Sequence, residues 1–336
     1  MTQSAFTDGV LLGSTQRRTL SACPVCGGDV QPKAIVFDDR YGYPGRFWVV
    51  RCGTCDHLAV DADLPTAEVE RLYTNFYTRS TFDVDAWQPA MPAPRPIEWW
   101  QGLRASAFRW VPRNVRVLDI GCGFGEALGY HRARGCDAHG VEADANILRV
   151  AQRHSLQVRV GLFDAASYAP SSFDVVTLDQ VIEHVAEPVS VLRGVEQVLK
   201  PGGMAVLSTP NAQGWGARVF GNRWIHWHAP YHQQFFTPES MQRAARAAGL
   251  QLESMRTVTN SAWLRFQWCH LAAPTREGER SVFWNPSLSR SPLQRGLFRL
   301  AALADRLGIN AALTRLFDLL GIGDNRVVVL RKSAPR

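Results

Sequence analysis

Three groups of side chains in this sequence have types and spacings that can do chemistry. The first is a pair of C-x-x-C knuckles, Cys23-Pro24-Val25-Cys26 and Cys52-Gly53-Thr54-Cys55. Each knuckle turns two thiolates toward one centre, and two knuckles complete a tetrahedral S4 set that suits zinc. Four thiolates leave no open coordination position, so the expected metal role is structural. The second group is Asp119-Ile120-Gly121-Cys122-Gly123-Phe124-Gly125, which follows the apolar run from Val115. Glycines at alternate positions after a buried strand let the backbone turn sharply and approach a ligand with no Cβ in the way. The spacing is D-x-G-x-G-x-G, and Glu126 stands where a nicotinamide dinucleotide fingerprint needs its third glycine. Asp119 would repel a diphosphate there and favour a cationic ligand such as a sulfonium. Glu142, at the end of His139-Gly140-Val141-Glu142, can accept both hydroxyls of a ribose. Cys122 reads as a small filler of the loop, with no base nearby in sequence. The third group is histidine. His184 follows Asp179-Gln180-Val181-Ile182-Glu183, and His226, His228 and His232 are interleaved with the aromatics of residues 215–236.

These groups need a scaffold. Val115 to Ile120 reads as a strand buried on both faces, with a helix from Gly125 to Arg134. Further strands are expected at 137–142, 157–161, 173–179 and 203–209, and helices at 145–154, 187–199 and 237–248. Alternating strands and helices imply a parallel, doubly wound sheet whose ligand crevice lies at the carboxyl ends of the strands. Asp119, Glu142 and Asp164 all fall at such ends.

With these motifs in place, residues from about 110 to 255 resemble the class I S-adenosylmethionine-dependent methyltransferases. The resemblance includes Phe173-Asp174-Val175-Val176, Glu183-His184-Val185, Leu199-Lys200-Pro201-Gly202-Gly203 and Ser208-Thr209-Pro210-Asn211. It implies a Rossmann-like α/β fold: a mostly parallel seven-stranded sheet with helices on both faces. It also implies S-adenosylmethionine as cofactor, held by Asp119, Gly121, Cys122, Gly123, Gly125 and Glu142. Phe163 and Asp164 would frame the adenine, and Asp179 would lie beside the methyl-bearing end. His184 and His232 are the candidate catalytic bases. The segment around His184 resembles that of ubiquinone-biosynthesis-type O-methyltransferases, in which a Glu-x-x-Glu-His cluster can hold a divalent metal; here Gln180 replaces the first glutamate.

The resulting organisation is a flexible leader over 1–20, a zinc-binding module over 21–64 and a helical linker over 65–110. The methyltransferase core covers 111–257, with an acceptor lid at 212–236. A helical insertion follows over 258–325, then a last strand and tail over 326–336. Leu250 to Thr257 and Arg326 to Arg331 fit the terminal strands that the family sheet pairs as a hairpin. Within the insertion Leu293, Leu297, Leu300, Leu303 and Leu307 form one stripe, with Arg295, Arg299 and Arg306 elsewhere. Such a helix can touch a membrane or a lipid-linked acceptor, or pack on its own domain. Trp263, Phe266 and Trp268 can extend the acceptor pocket.

The 336 residues carry a net charge of +7 without dense basic runs and seven cysteines, and no signal peptide or 18-residue apolar run is present. Paired knuckles in a chain of this kind point to a reducing, cytoplasmic setting. The expected function is methyl transfer from S-adenosylmethionine to an oxygen or nitrogen of a small molecule, such as a sugar or glycan precursor. The alternatives are an RNA methyltransferase that grips RNA through the zinc module, and a non-catalytic cofactor-binding protein.

Overall fold

The computed structural model describes residues 19–62, 64–77, 84 and 86–334; most of the expected leader lies outside them. Strands β1 (Val30–Phe37), β2 (Arg46–Cys52) and β3 (Leu58–Asp61) form an antiparallel meander. Helix α1 (Thr66–Arg71) runs into a single π-turn at 72–76, and α2 (Arg95–Gln101) precedes two short 3-10 turns. The main sheet then builds by alternation: β4 (Arg116–Ile120), α3 (Glu126–Arg132), β5 (Asp137–Glu142), α4 (Ile147–His154), β6 (Gln157–Val160), β7 (Phe173–Asp179), α5 (Pro188–Val198) and β8 (Leu199–Pro210). After α6 (Trp215–Phe220) come β9 (Gln234–Phe235), α7 (Pro238–Ala247) and β10 (Leu250–Thr257). Helices α8 (Ser261–Leu271), α9 (Pro292–Arg306) and α10 (Ile309–Leu319) lead to β11 (Asn325–Lys332).

The large sheet has the order β10-β11-β8-β7-β4-β5-β6. Neighbours are parallel from β8 to β6, while β11 runs antiparallel to both β8 and β10. This is the mostly parallel seven-stranded arrangement that the family resemblance implies, around the parallel core that the alternating pattern predicts. Local chemistry fixes the helix starts. Thr237 and Ser240 exchange capping bonds at α7, Ser291 and Gln294 do so at α9, and a proline opens each of these helices as well as α5.

The cysteine module does not stand apart from this body. Strand β9 pairs with β3, Leu58 opposite Phe235, so one four-stranded sheet joins the module to residues 234–235. Val25, Val30, Val50 and the knuckle cysteines share a core with Phe236, Met241 and Ala244. His57 lies between Gln234 Oε1 (2.8 Å) and Ser240 Oγ (3.3 Å), and burial pushes its imidazole down to about 4, so it bridges as a neutral ring. Of the stretch 212–236, expected as a lid, residues 224–236 are largely interior, while Arg218, Val219, Gly221 and Asn222 are exposed. Trp224, Tyr231 and Phe235 are fully buried in a core shared with Phe47, Val49 and Leu58. The aromatics that suggested a flap supply the apolar area that seals the module to the sheet.

The leucine stripe of α9 behaves in the opposite way. Leu293, Leu300 and Leu307 face outward, and α9 rests on its neighbours through Ala301 and Phe298.

Candidate functional site

The four knuckle sulfurs converge: Cys23 Sγ lies 3.6 Å from Cys55 Sγ, and Cys26 Sγ is 3.5 and 3.4 Å from those of Cys52 and Cys55. A tetrahedron with metal–sulfur bonds of ~2.3 Å has edges of about 3.8 Å, so the set matches zinc with only slight expansion. Backbone N–H groups of Val25 and Thr54 donate to Cys23 and Cys52, the arrangement that supports thiolates at a closed structural site.

At the glycine loop, Gly121 and Gly123 both have positive φ, +69° and +57°. A Cβ at Gly121 would lie 2.6 Å from Val181, whereas one at Gly123 would meet nothing within 4 Å. The first glycine lets two loops touch; the second faces open space that a ligand can fill. Glu142 stiffens the turn by accepting the N–H groups of Gly123 (2.8 Å) and Asp144 (3.0 Å). Asp119 is buried and accepts from Thr177 Oγ1 at 2.6 Å. Burial pushes its carboxyl up to about 7, with the charges of Asp179, Glu142 and Glu126 acting in the same direction. Asp179 is also raised by burial, against donation from Ser208, Ser106 and the Ala107 backbone. Four acids therefore crowd one side-chain-free turn, an arrangement that a positively charged ligand relieves.

The remaining cofactor residues of the sequence reading are placed less uniformly. The Cys122 thiol is buried against Gly140, and its N–H donates to Val141 O, so this side chain does not line the loop. Gly125 caps α3 in a left-handed conformation beside Leu156. The Phe163 ring packs toward Gly194 of α5, and Asp164 accepts the N–H of Ala166 to open a 3-10 turn.

Beyond Gly121, Val181 leads into the turn 182–184, where Glu183 is fully buried; its carboxylate oxygens make no well-formed hydrogen bond among the described residues and have only weak support from Thr209 and from the Glu183 N–H. Burial pushes that carboxyl up to about 8. His184 Nδ1 lies 3.0 Å from Tyr231 O, and His232 Nδ1 lies 2.8 Å from His226 O. A carbonyl can only accept, so each Nδ1 carries its proton, and in the neutral ring Nε2 is the acceptor nitrogen. The two rings lie 4.6 Å apart, edge to face. One ligand atom each from Glu183, His184 and His232 falls within 4.8 Å of the others. Gln180 takes no part: its amide donates to Ser208 Oγ and Asn325 Oδ1.

Several contributors to this side lay outside the sequence reading. The β1–β2 loop brings Tyr41 within 5.7 Å of both His228 and Tyr231, and Tyr77 also stacks against both. The Asp38 carboxylate organises that loop by accepting the N–H groups of Arg40, Tyr41 and Tyr43. Trp263 does reach His226, at 5.0 Å, but Phe266 packs on Phe283 and Trp284, and Trp268 donates to Asn310. Those two aromatics hold the insertion together.

Comparison with known proteins identifies relatives of the region that carries the glycine loop. A family described as a methyltransferase domain matches residues 94–255. The ubiquinone biosynthesis O-methyltransferase of Xanthomonas axonopodis pv. citri is 31% identical over 196 residues, covering 54% of this chain and 80% of the relative. The protein of the same name from Cupriavidus pinatubonensis is 34% identical over 180 residues, covering 49% and 70%. Among solved structures, a SAM dependent methyltransferase from Archaeoglobus fulgidus aligns with TM-score 0.41 and 19% identity over 71% of this chain and 90% of its own. The 1,6-didemethyltoxoflavin-N1-methyltransferase of Burkholderia thailandensis aligns with TM-score 0.45 and 15% identity, over 85% and 96%. The chain belongs to the class I S-adenosylmethionine-dependent methyltransferases. It is an enzyme of that class, with a cysteine cluster suited to structural zinc built into its fold.

Proposed function

We propose that this enzyme transfers the methyl group to a hydroxyl oxygen of a small molecule, with the Glu183, His184 and His232 cluster acting on the hydroxyl. The supporting observation is the juxtaposition of an acidic glycine turn with two imidazoles whose Nε2 lone pairs are set by backbone carbonyls. When bound, S-adenosylmethionine supplies an activated methyl group and departs as the neutral thioether. Gly123 would leave room for its amino-acid end, Glu142 would take the ribose hydroxyls, and Asp119 with Asp179 would offset its positive charge. Phe163 and Asp164 would frame the adenine. As the new O–CH3 bond forms and the C–S bond breaks, the hydroxyl proton must leave. His184 Nε2 is the first candidate to take it and His232 Nε2 the second. A neutral amine acceptor would not need this pair, which is why oxygen is preferred.

The relatives are named for O-methylation in ubiquinone biosynthesis, and a sugar or glycan acceptor finds no support among them. The aromatic wall of Tyr41, Tyr77 and Tyr231 suits a planar acceptor such as a phenol. The knuckles pack inward against α7, which favours a small acceptor over RNA gripped by the module. A second reading keeps the same acceptor: the buried Glu183 carboxylate and the two oriented imidazoles would hold a divalent cation, which would supply Lewis-acid polarisation of the hydroxyl. A donor assay against matched phenol and aniline acceptors, with and without a chelator, tests both. Methylation of the aniline alone overturns the oxygen assignment, and chelator resistance removes the cation.

A further inference from the structure

Helix α10 is inside-out. Its polar residues Asn310, Thr314 and Arg315 are buried at 0%, 1% and 6% exposure, while Leu316, Leu319 and Leu320 are exposed at 50%, 76% and 61%. The buried polar face is largely satisfied, with Arg315 Nε the one atom of these three side chains that lacks a partner among the described residues. Arg315 donates to Trp99 O and pairs with Asp318 at 2.7 Å, Thr314 donates to Asn310 O, and Asn310 accepts from Trp268. The reversal is therefore a stable arrangement, and it leaves an apolar face outward. Helix α9 continues that face. Leu293, Leu297, Leu300 and Leu307 recur at helical spacing and are all exposed, and Trp100 sits against Gly308 at the turn between the two helices. Trp99 and Ile97 of α2 are exposed as well. Monomers rarely leave so many large apolar side chains on one surface; their largest patches are roughly 300–600 Å².

The charges around the patch indicate what covers it. Arg295, Arg299 and Arg306 are exposed on α9, and the acids of α9 and α10 are already engaged: Asp305 pairs with Arg265 at 3.5 Å and Asp318 with Arg315. Leucines on one stripe, arginines beside them and tryptophans at the margin form the pattern of a helix lying in a bilayer interface. A second copy of the chain would bring like charges together with no acid on either helix to pair them. The geometry points to α9, α10 and the exposed end of α2 as a docking surface for an anionic phospholipid membrane, with the leucines in the acyl boundary and the arginines among the headgroups. No helix among the described residues is long and apolar enough to cross a membrane, so the contact is peripheral.

Sedimentation of the full chain with vesicles tests this, using phosphatidylcholine alone and phosphatidylcholine mixed with phosphatidylglycerol. The expected result is binding at least tenfold tighter to the mixed vesicles, weakened but not abolished by salt. The pair Leu300→Glu and Leu316→Glu should lower partitioning at least tenfold with an unchanged melting temperature, because both positions are exposed. The pair Arg295→Glu and Arg299→Glu should remove the preference for phosphatidylglycerol. Failure of the unmodified protein to bind either vesicle overturns the proposal, as does equal binding by the leucine variant. So does a lipid-free dimer, seen by sedimentation velocity, that Leu316→Glu dissociates. These readouts need no methyl acceptor, so their failure leaves the O-methyl reading untouched.

Discussion

Around the glycine loop, burial raises carboxyl groups; past Val181, it lowers imidazoles. Asp119 is pushed up to about 7 and Asp179 also rises, while His226 is pushed down to about 3 and His228 and His232 lie well below the usual range. The cause is the same in both places, loss of water around the charged form. Its consequences are opposite. On one wall the carboxyls are poised to ionise when a cation arrives. On the other, the histidines stay neutral with lone pairs available. In the proposed reaction the two groups would meet a charged donor and an uncharged acceptor, with water withheld from both kinds of titratable side chain.

The comparison can be broken most severely on the histidine wall. His184→Ala should lower turnover by about 10²–10⁴-fold if His184 takes the proton. The affinity for S-adenosylmethionine, measured calorimetrically, should change less than twofold; a parallel loss in both would make the ring scaffolding. Removing the metal comes next. Cys55→Ser should destabilise the protein by more than about 4 kcal/mol in denaturant titration, since a metal site and the core around it fail together. Its Thr237 contact and the β3–β9 pairing should carry the damage toward Tyr231 and His232. An unchanged unfolding midpoint would show that the knuckles bear no load.

On the acidic wall, Glu142→Ala should weaken cofactor binding by about 1–3 kcal/mol, the worth of charged hydrogen bonds. Loss of the Gly123 tether contributes to that figure, so Glu142→Gln, which keeps an acceptor, should lose less. The smallest effect is a pH dependence. A cation favours the ionised form of Asp119, so affinity for S-adenosylmethionine should fall as pH drops through about 7, and Asp119→Asn should flatten the profile. Without ligand the sign reverses. A carboxyl raised from 3.8 to about 7 binds its proton more tightly in the folded state, so this group's contribution is full below pH 4 and is lost as pH rises through 7. Thermal melts at pH 5 and pH 8, with and without cofactor, would separate the two trends.

Legibility in the sequence divides along the same line. The proposed cofactor wall is local: Asp119, Gly121, Gly123 and Glu142 lie at the ends of two adjacent strands, and parallel pairing brings them together once the strands are recognised. The main sheet was legible for the same reason. The histidine wall is assembled from distant parts. His184 meets His232 because Gln233 N–H donates to Glu183 O, and Tyr41 arrives through a hairpin loop early in the chain. No spacing in the sequence encodes those meetings. The leucine stripe of α9 was legible as a stripe but not as outward-facing, because amphipathicity alone cannot say which side the rest of the protein occupies.

Strand β11 lies between β8 and β10, and both of these precede it in synthesis by the whole helical insertion. Its first residue, Asn325, bonds to Gln180, to Ala105 O and to Val258 O. A nascent chain halted before that residue holds two sheet edges with no partner and a site whose segments are not yet clamped. The unpaired edges of β8 and β10 are therefore the place where a stalled chain is most exposed to aggregation.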